Sequence, residues 1–355
     1  MAAPRNISFE NDVLPSVTAD VLIHPRDLSR VYQDRFGVSR VTANRYIQRL
    51  ERDGWLSRMG PSTHPVYAPG YNRRVSAVVP LAGLEEDLVW DRSFSRSVSA
   101  PPNVRNIVHH GFTEMVNNAV DHSEGTEVFI HLMQSQTDIS LNVADNGVGI
   151  FRKITDALGL ADPRLAIFEL AKGKLTTDPA RHSGEVVFFT SRMFDTFFIH
   201  ANGLSFSHHD GMSANDWLFD FDKAVNGTSV YMRIALASAR NASDVFQQYM
   251  DAPEDFGFNK TIVPMRLAQF GDEQLVSRSQ AKRLIARFDR FKRVMLDFDG
   301  VAEIGQAFAD ELFRVYAREH PDVELIPLNH SEQIERMWLR AVGNDMGRRP
   351  QDNED

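Results

Sequence analysis

The segment HHGFTEMVNNAVDHSEG, residues 109–125, combines residue types and spacings that are suited to chemistry. On a helix, Glu114, Asn118, Asp121 and His122 fall at i, i+4, i+7 and i+8, which places all four on one face. A carboxylate can orient water or a hydroxyl for attack, and an amide oxygen can hold Mg²⁺. Polar groups at this spacing are otherwise ordinary solvated surface, so a second segment must decide between these interpretations.

That second segment is LNVADNGVGI, residues 141–150, which follows a predicted β-hairpin. Asp145 lies at the end of a predicted strand, where its carboxylate can accept a hydrogen bond from an adenine amine. Gly147 and Gly149 have no Cβ and let the backbone approach a ligand closely. In this order the two segments resemble the N-box and the D-x-G-x-G box of the GHKL (Bergerat-fold) ATPases.

The resemblance implies a site for ATP and Mg²⁺ in which Glu114 is the catalytic general base and Asn118 is the Mg²⁺ ligand. Gly227-Thr228, which precedes the predicted strand SVYMRI, resembles the Gly-Thr pair that closes the family's pocket. The implied ATP-binding residues are Asn118, Asp121, His122, Asp145, Gly147, Gly149, Ile150, Lys172, Lys174, Ser183, Gly184 and Thr228.

Residues 151–182 stand in the place of the family's ATP lid, with Lys172 and Lys174 as expected phosphate partners, although a Lys-Gly-Lys loop is as often solvated surface. The following segment, with Ser183 and Gly184, resembles the second glycine box but has Val186 where the family usually has glycine. A Cβ at this position restricts the backbone. Two outcomes remain open: a site that hydrolyses ATP, and a pocket that binds nucleotide without turnover.

The N-terminal 75 residues differ in charge from the rest of the chain. They contain eleven Arg and seven acidic residues, a net charge of +4, which leaves −13 for residues 76–355 of the total −9. The segment SRVTANRYIQRLERDGWL resembles the recognition helix of bacterial winged helix-turn-helix regulators, with Ser39 as its N-cap. The expected DNA-binding residues are Arg40, Thr42, Asn44 and Arg45. The alternative is a winged helix that docks protein or mediates dimerisation.

The C-terminal block alternates predicted strands and helices, which indicates a small α/β unit. LDFDGVAEIGQAFADELFR resembles a STAS-like domain, and this resemblance implies an interaction or dimerisation surface. The turn at residues 304–307 has no hydroxyl, so we expect no phosphorylation there. RVMLDFDGV also resembles the first motif of haloacid-dehalogenase phosphatases, but no Lys follows Lys292 to neutralise a phosphoryl group.

The predicted fold class is α+β multidomain. Residues 1–75 are the winged helix, residues 76–250 a Bergerat-fold α/β sandwich of mainly antiparallel strands with helices on one face, and residues 251–345 the STAS-like domain, followed by a disordered tail, 346–355. Cysteine is absent, which excludes disulfides, thiolate zinc sites and iron–sulfur clusters. No stretch of about 18 apolar residues occurs, so we expect a cytoplasmic, non-membrane protein.

The leading functional hypothesis is an ATP-hydrolysing regulator that couples nucleotide state to DNA binding. One alternative is an anti-sigma-type Ser/Thr protein kinase that acts on a protein partner, and another is a nucleotide-binding interaction module. The expected partners are ATP, DNA through the N-terminal domain, and a protein through the STAS-like domain. A homodimer is expected only by analogy with related regulators.

Overall fold

The computed structural model describes residues 7–61, 63–174, 186–209, 216–220, 226–249, 259–269 and 274–346, with only the backbone for 216–220 and 344–346. The chain divides into two compact units, each assembled from separate stretches. The first unit comprises Met1–Ile150, Met193–Asn202 and Ala224–Asn241. The second comprises Phe151–Arg192, Gly203–Lys223 and Ala242–Asp355. The N-terminal helices and the predicted nucleotide-binding segments therefore fall in one unit, and the predicted lid falls with the C-terminal block.

The described residues contain helices and strands of both parallel and antiparallel pairing. The helices are α1 (Val17–Ile23), α2 (Leu28–Phe36), α3 (Arg40–Arg52), α4 (Glu86–Val89), α5 (Pro102–His122), α6 (Ile150–Leu158), α7 (Arg164–Lys172), α8 (Val186–Met193), α9 (Ala242–Gln248), α10 (Arg278–Ile285), α11 (Gln306–Asp310), α12 (Ala317–Glu319) and α13 (Glu332–Met346). The strands are β1 (Leu56–Met59), β2 (Val66–Pro69), β3 (Arg73–Pro80), β4 (Glu127–Gln134), β5 (Asp138–Asp145), β6 (Thr196–Ala201), β7 (Leu204–His209), β8 (Asp216–Asp220), β9 (Thr228–Ala235), β10 (Lys260–Pro264), β11 (Arg293–Asp297) and β12 (Glu324–Leu328).

The first unit begins with α1, α2 and α3, followed by the antiparallel hairpin of β1 and β2. Gly37 ends α2 with a left-handed φ of +62°, the conformation that favours glycine at the C-terminal end of a helix. Ser39 caps α3 because its hydroxyl accepts a hydrogen bond from the backbone N–H of Thr42 at 3.2 Å, as predicted. The apolar faces of these elements share one core, whose members are Val13, Val17, Val21, Leu28, Tyr32, Ala43, Ile47, Leu50 and Leu56.

An antiparallel sheet in the order β3-β4-β5-β9-β6 forms the rest of the first unit. Strands β4 and β5 pair as the hairpin that the alternating sequence predicts. Helix α5 packs against this sheet, and Gly111 permits the close approach. A Cβ there would lie 2.7 Å from the ring of Phe194 and 3.1 Å from the sulfur of Met232. The helix that carries the candidate catalytic residues is thus seated directly on the strands.

The second unit contains a parallel sheet in the order β10-β11-β12 and the antiparallel pair β7–β8. The alternation of strands and helices confirms the small α/β unit predicted for the C-terminal block. Helix α10 begins with a capping box, in which Ser277 accepts from the N–H of Gln280 and Gln280 accepts from the N–H of Ser277. Ser277 is therefore the N-cap of α10.

Three sequence-based expectations depend on the limits of the described chain. Helix α13 ends at Met346, which is the first residue of the tail expected to be disordered, 346–355, and the rest of that tail lies outside the described residues. Ser183 and Gly184 of the second glycine box lie outside them as well. Among the helices that are described, none combines the length and apolar character needed to cross a bilayer.

Candidate functional site

Helix α5 carries the four polar residues that the sequence analysis placed on one face. Helix α5 is continuous from Pro102 to His122. The predicted helical spacing of Glu114, Asn118, Asp121 and His122 is therefore present in the structure. Glu114 and Asn118 are partly buried and Asp121 is exposed. The side chain of Glu114 is 27% exposed, so its carboxylate is shielded from much of the solvent yet open to a ligand.

His110 lies one turn before Glu114 on α5, with its Nδ1 3.8 Å from Glu114 Oε1. Burial, and to a smaller extent the neighbouring His109, lowers the pKa of His110 below its ordinary value. At neutral pH the imidazole is therefore predominantly uncharged. It therefore leaves the negative charge of the Glu114 carboxylate in place, which a general base requires.

Asp145 lies at the end of β5, and its carboxylate is held by the loop that follows. Its Oδ1 accepts hydrogen bonds from the backbone N–H of Gly147 at 2.8 Å and of Thr228 at 3.2 Å. Burial raises the pKa of Asp145, while hydrogen bonds from Gly147 and Thr228 act in the opposite direction. The Asp145 carboxylate is therefore fixed in position and partly desolvated. Because it is shielded from water, the loss or gain of a hydrogen bond to it changes the free energy more than at a solvated surface.

The loop after Asp145 is tied to the C-terminal end of α5. The N–H of Val148 donates to the carbonyl of Ser123 at 2.8 Å. The side-chain oxygen of Asn146 accepts from the N–H of Thr126 at 2.8 Å. These bonds join the two segments that the resemblance had linked only by their order in the chain, and they place Asp145 and the polar face of α5 in one unit.

The loop glycines are required by packing inside the protein. A Cβ on Gly147 would lie 2.0 Å from the carbonyl oxygen of Ser123, a distance that no side chain tolerates. Gly149 has a φ of +84°, and a Cβ on it would lie 2.4 Å from the Asn202 side chain. From the sequence, both glycines were predicted to let the backbone approach a ligand closely. The structure shows that glycine is required at both positions even without a ligand, because a side chain would clash with the protein itself.

Asn202, in the turn between β6 and β7, contacts this loop and was not among the residues predicted from the sequence. Its side-chain N–H₂ donates to the carbonyl of Val148 at 3.0 Å, and its own φ is +54°. The only local indication in the sequence was the Asn-Gly pair at 202–203, which favours a tight turn. Its contact with a loop more than fifty residues earlier has no local signature.

Thr228 connects the start of β9 to the start of α6. Its hydroxyl oxygen accepts from the N–H of Ile150 at 2.9 Å. Gly227 before it has a φ of +85°, and a Cβ there would lie 2.0 Å from the carbonyl oxygen of Asp145. Two of the predicted pocket residues, Asp145 and Thr228, are therefore interlocked by direct contacts.

The two lysines of the predicted lid have other partners in the second unit. Lys172 is 1% exposed, and its Nζ donates to Glu169 Oε1 at 2.5 Å and to the carbonyl of Ala286 at 2.9 Å. The Nζ of Lys174 donates to the carbonyl of Arg290 at 2.8 Å. Lys172 is not the accessible cation that a phosphate partner requires, because its ammonium is buried. A contact between Lys172 and phosphate stays a prediction, and it would require the Lys172 ammonium to leave Glu169 and the carbonyl of Ala286.

The residues expected to contact DNA lie on the first half of α3. Arg40, Asn44 and Arg45 are exposed, whereas Thr42 is partly buried. The Asn44 side-chain oxygen accepts a hydrogen bond from the hydroxyl of Ser29 at 2.7 Å, which leaves its N–H₂ group to face outward as a donor. Val41, which was not among the predicted residues, lies between Arg40 and Arg45 in the sequence. Its apolar side chain is 69% exposed.

Residues 280–335 match the family described as a STAS-like domain of unknown function (DUF4325). The match covers α10, β11, α11, α12 and β12 and confirms the STAS-like domain that the sequence predicted near the C-terminus. The turn before α11 presents Ile304 and Gly305, and no hydroxyl, as the sequence indicated. No curated protein matches the chain.

Proposed function

We propose that this protein is an ATP- and Mg²⁺-binding regulator that hydrolyses ATP and couples its nucleotide state to DNA binding. The observation that carries the proposal is the partly buried Asp145 carboxylate, held by the N–H groups of Gly147 and Thr228 beside a helix that presents Glu114 and Asn118. An ATP site needs an acceptor for the adenine amine, a ligand for Mg²⁺ and an acceptor for a proton. Asp145, Asn118 and Glu114 fit these three roles in that order.

Each residue has one task in the proposed site. Asp145 accepts a hydrogen bond from the adenine amine, and a guanine would leave this carboxylate facing a carbonyl. Asn118 supplies a neutral oxygen ligand to Mg²⁺, which when bound neutralises charge on the phosphates. Glu114 accepts the proton of the attacking water, and the neighbouring imidazole of His110 is uncharged and leaves that carboxylate its negative charge.

The DNA-binding part of the proposal rests on α3 and on its place in the first unit. Arg40 and Arg45 are exposed on the N-terminal half of this helix, where a recognition helix contacts phosphates and base edges. Helix α1 is joined to the sheet because the N–H of Arg74 in β3 donates to the hydroxyl of Thr18 at 2.9 Å. Strand β3 pairs with β4 and β4 with β5, which ends at Asp145. This chain of contacts can carry a coupling of about 1–3 kcal/mol.

A second candidate, a Ser/Thr protein kinase of the anti-sigma type, is favoured by the STAS-like domain in the same chain. In that case a protein hydroxyl replaces water: its oxygen bonds to the γ-phosphorus, the bond to the β-phosphate oxygen breaks, and Glu114 takes the proton. The turn at residues 304–307 offers no hydroxyl, so the acceptor lies elsewhere or on a partner.

Thermal unfolding with nucleotide tests the nucleotide site. We expect ATP with Mg²⁺ at about 100 times its Kd to stabilise the wild type by about 2.7 kcal/mol, and GTP to have a much smaller effect. Asn118→Ala and Asp145→Asn should abolish the stabilisation. Glu114→Gln should keep it, because only the proton acceptor is lost, while release of labelled γ-phosphate stops.

The coupling is measured as DNA affinity with and without ATP and Mg²⁺. We expect about a 5- to 150-fold change for the wild type and none for Asn118→Ala, which serves as the matched control. An unchanged melting temperature of the wild type with nucleotide would overturn the nucleotide site. Label found only on protein would replace hydrolysis by the kinase alternative.

A further inference from the structure

A cavity of about 640 Å³ lies within the STAS-like domain, between α10 and the helical segment from Gln306 to Glu319. Four cationic side chains line it, together with a tyrosine and a histidine that stack on each other at 4.3 Å between ring centroids. These six residues are Arg278, Lys282, Arg287, Arg314, Tyr316 and His320. Nothing in the proposed nucleotide site or DNA interface uses this cavity.

Two hydrogen-bond donors in the cavity lining are buried without an acceptor. The Arg287 Nε and the Tyr316 Oη have no hydrogen-bond partner within the part of the chain that the structure describes. Tyr316 is only 4% exposed, and its ring is held between His320 and Phe288. Buried donors are costly when unsatisfied. A ligand in this cavity would need acceptor oxygens to satisfy such donors.

Arg287 is fixed in position by contacts on its other side. Its Nη1 donates to Glu169 Oε2 at 3.0 Å, and its Nη2 donates to the carbonyl of Lys174. Its backbone φ is +69°, in the left-handed region that residues other than glycine rarely adopt. Strained backbone conformations of this kind persist where surrounding contacts enforce them, and they concentrate at binding sites.

The charged groups around the cavity largely compensate one another. Glu311 is buried and lies 3.7 Å from the Lys282 ammonium, Arg314 pairs with Asp310, and Arg287 pairs with Glu169. Three further charged residues of the lining are exposed to screening by solvent: Arg278, Asp289 and Glu319. Positive charge alone therefore does not select an anion, and the unpartnered donors of Arg287 and Tyr316 are what an oxyanion would satisfy.

We propose that this cavity is a binding site for a small metabolite that carries an oxyanion, either a phosphate or a carboxylate. The oxyanion accepts hydrogen bonds from Arg287 Nε and Tyr316 Oη. Because Arg287 also holds Glu169 and Lys174, the bound anion stiffens the end of α7, so the STAS-like domain acts as a sensor within the second unit. The proposal does not depend on the nucleotide site.

The test measures binding of inorganic phosphate and of citrate to the full-length protein by titration calorimetry, at ionic strength held constant with NaCl. We expect saturable binding to the wild type and slower hydrogen exchange in residues 164–174 when the anion is bound. Whichever probe binds more tightly identifies the oxyanion. Tyr316→Phe should weaken binding about tenfold or more, because a hydrogen bond to a charged group is lost.

Tyr316→Phe also has a second readout, which separates a site from a packing effect. Without anion we expect its melting temperature to equal or exceed that of the wild type, since the variant removes an unsatisfied buried hydroxyl. Arg283→Ala is the matched control: Arg283 is an exposed cation on α10 outside the cavity lining, and its loss should leave anion affinity unchanged. The absence of saturable binding to the wild type would overturn the proposal, as would an equal loss of affinity in Arg283→Ala.

Discussion

At the scale of single residues, Lys172 is a buried ammonium held against the cost of desolvation. It is 1% exposed, it pairs with Glu169, and burial lowers its pKa from 10.5 to about 8 although Glu169 acts to raise it. The same carboxylate also pairs with Arg287 at 3.0 Å, so the negative charge keeps a partner when Lys172 loses its proton. The ammonium is therefore tolerated here rather than required for charge balance.

This arrangement predicts how stability depends on pH. Between about pH 8 and 10.5 the unfolded chain holds a proton on Lys172 that the folded chain has released, so the free energy of unfolding rises with pH in this window. Lys172→Met has no such titration. We expect the free energy of unfolding of the wild type, relative to that of Lys172→Met, to rise by about 1–3 kcal/mol between pH 8 and 10.5. Chemical denaturation across a pH series measures this difference.

An exposed lysine provides the control for that pH series. Lys292→Met should show no comparable gain of the wild type over the variant, because Lys292 is exposed. If the difference between wild type and Lys172→Met stays constant from pH 7 to 10.5, the Lys172 ammonium does not titrate in this range and the buried arrangement of α7 is wrong.

The site residues divide according to whether their contacts are local. Asp145 and Thr228 were predictable because a short motif surrounds each of them. Asn202 and Arg287 were missed because each adopts a left-handed backbone and contacts a segment more than fifty residues away. Lys172 was predicted as a phosphate partner from its loop alone, and nothing local indicated that the C-terminal block would bury it.

Helix α3 is the element whose role is most directly testable. If Arg40 and Arg45 each neutralise one DNA phosphate, replacing both with Ala reduces the slope of log affinity against log salt by about 1.8. Affinity should also fall for every DNA sequence tested. Fluorescence anisotropy over a range of salt concentrations measures both quantities.

The control for α3 lies on the same helix. Arg52 is exposed in the last turn of α3 and pairs with Asp53 at 2.9 Å, so Arg52→Ala changes charge without touching the N-terminal half. We expect its salt slope to match that of the wild type. Unchanged DNA affinity in the double variant would favour the alternative in which this region docks protein or dimerises.

Elements with clear periodicity and caps were predictable, and their ends were less so. The turn glycine Gly37, the cap Ser39, the hairpins and the alternating C-terminal strands and helices all follow from local patterns. Helix α10 is an example of an end without a local signal, because it stops at Ile285 although no Gly or Pro follows directly. Arg287 turns left-handed immediately afterwards, for reasons that lie in its partners on α7 and not in its neighbours.

At the scale of the whole molecule, the division into units predicts which fragments fold. The sheet of the first unit takes β6 and β9 from beyond residue 190, and β9 lies between β5 and β6. Met232 and Ile234 in β9 are fully buried. A fragment of residues 1–150 therefore lacks strands that complete its core, and we expect no hydrogen-exchange protection in its β4 and β5.

A fragment of residues 1–241 contains all of the first unit and should restore that protection, which makes it the matched control. Slow exchange of the β5 amides in the shorter fragment would contradict the assignment of β9 to the centre of this sheet. The domain bounds 1–75 and 76–250 stay a prediction, because they follow only from the order of elements along the chain. Pairing between distant strands is decided by side-chain packing that no local pattern encodes.

The central position of β9 also determines when the edge of β5 can be paired during translation. At ribosomal rates of about 5–20 residues per second, Ala235 is made about 5–18 s after Asp145. Until then β5 has an open edge, with Asp138–Asp145 unpaired on the side that Thr228–Ala235 will occupy. The nascent chain therefore carries an exposed strand edge while residues 146–235 are added, and chaperone binding in this interval would shield that edge from pairing with other chains.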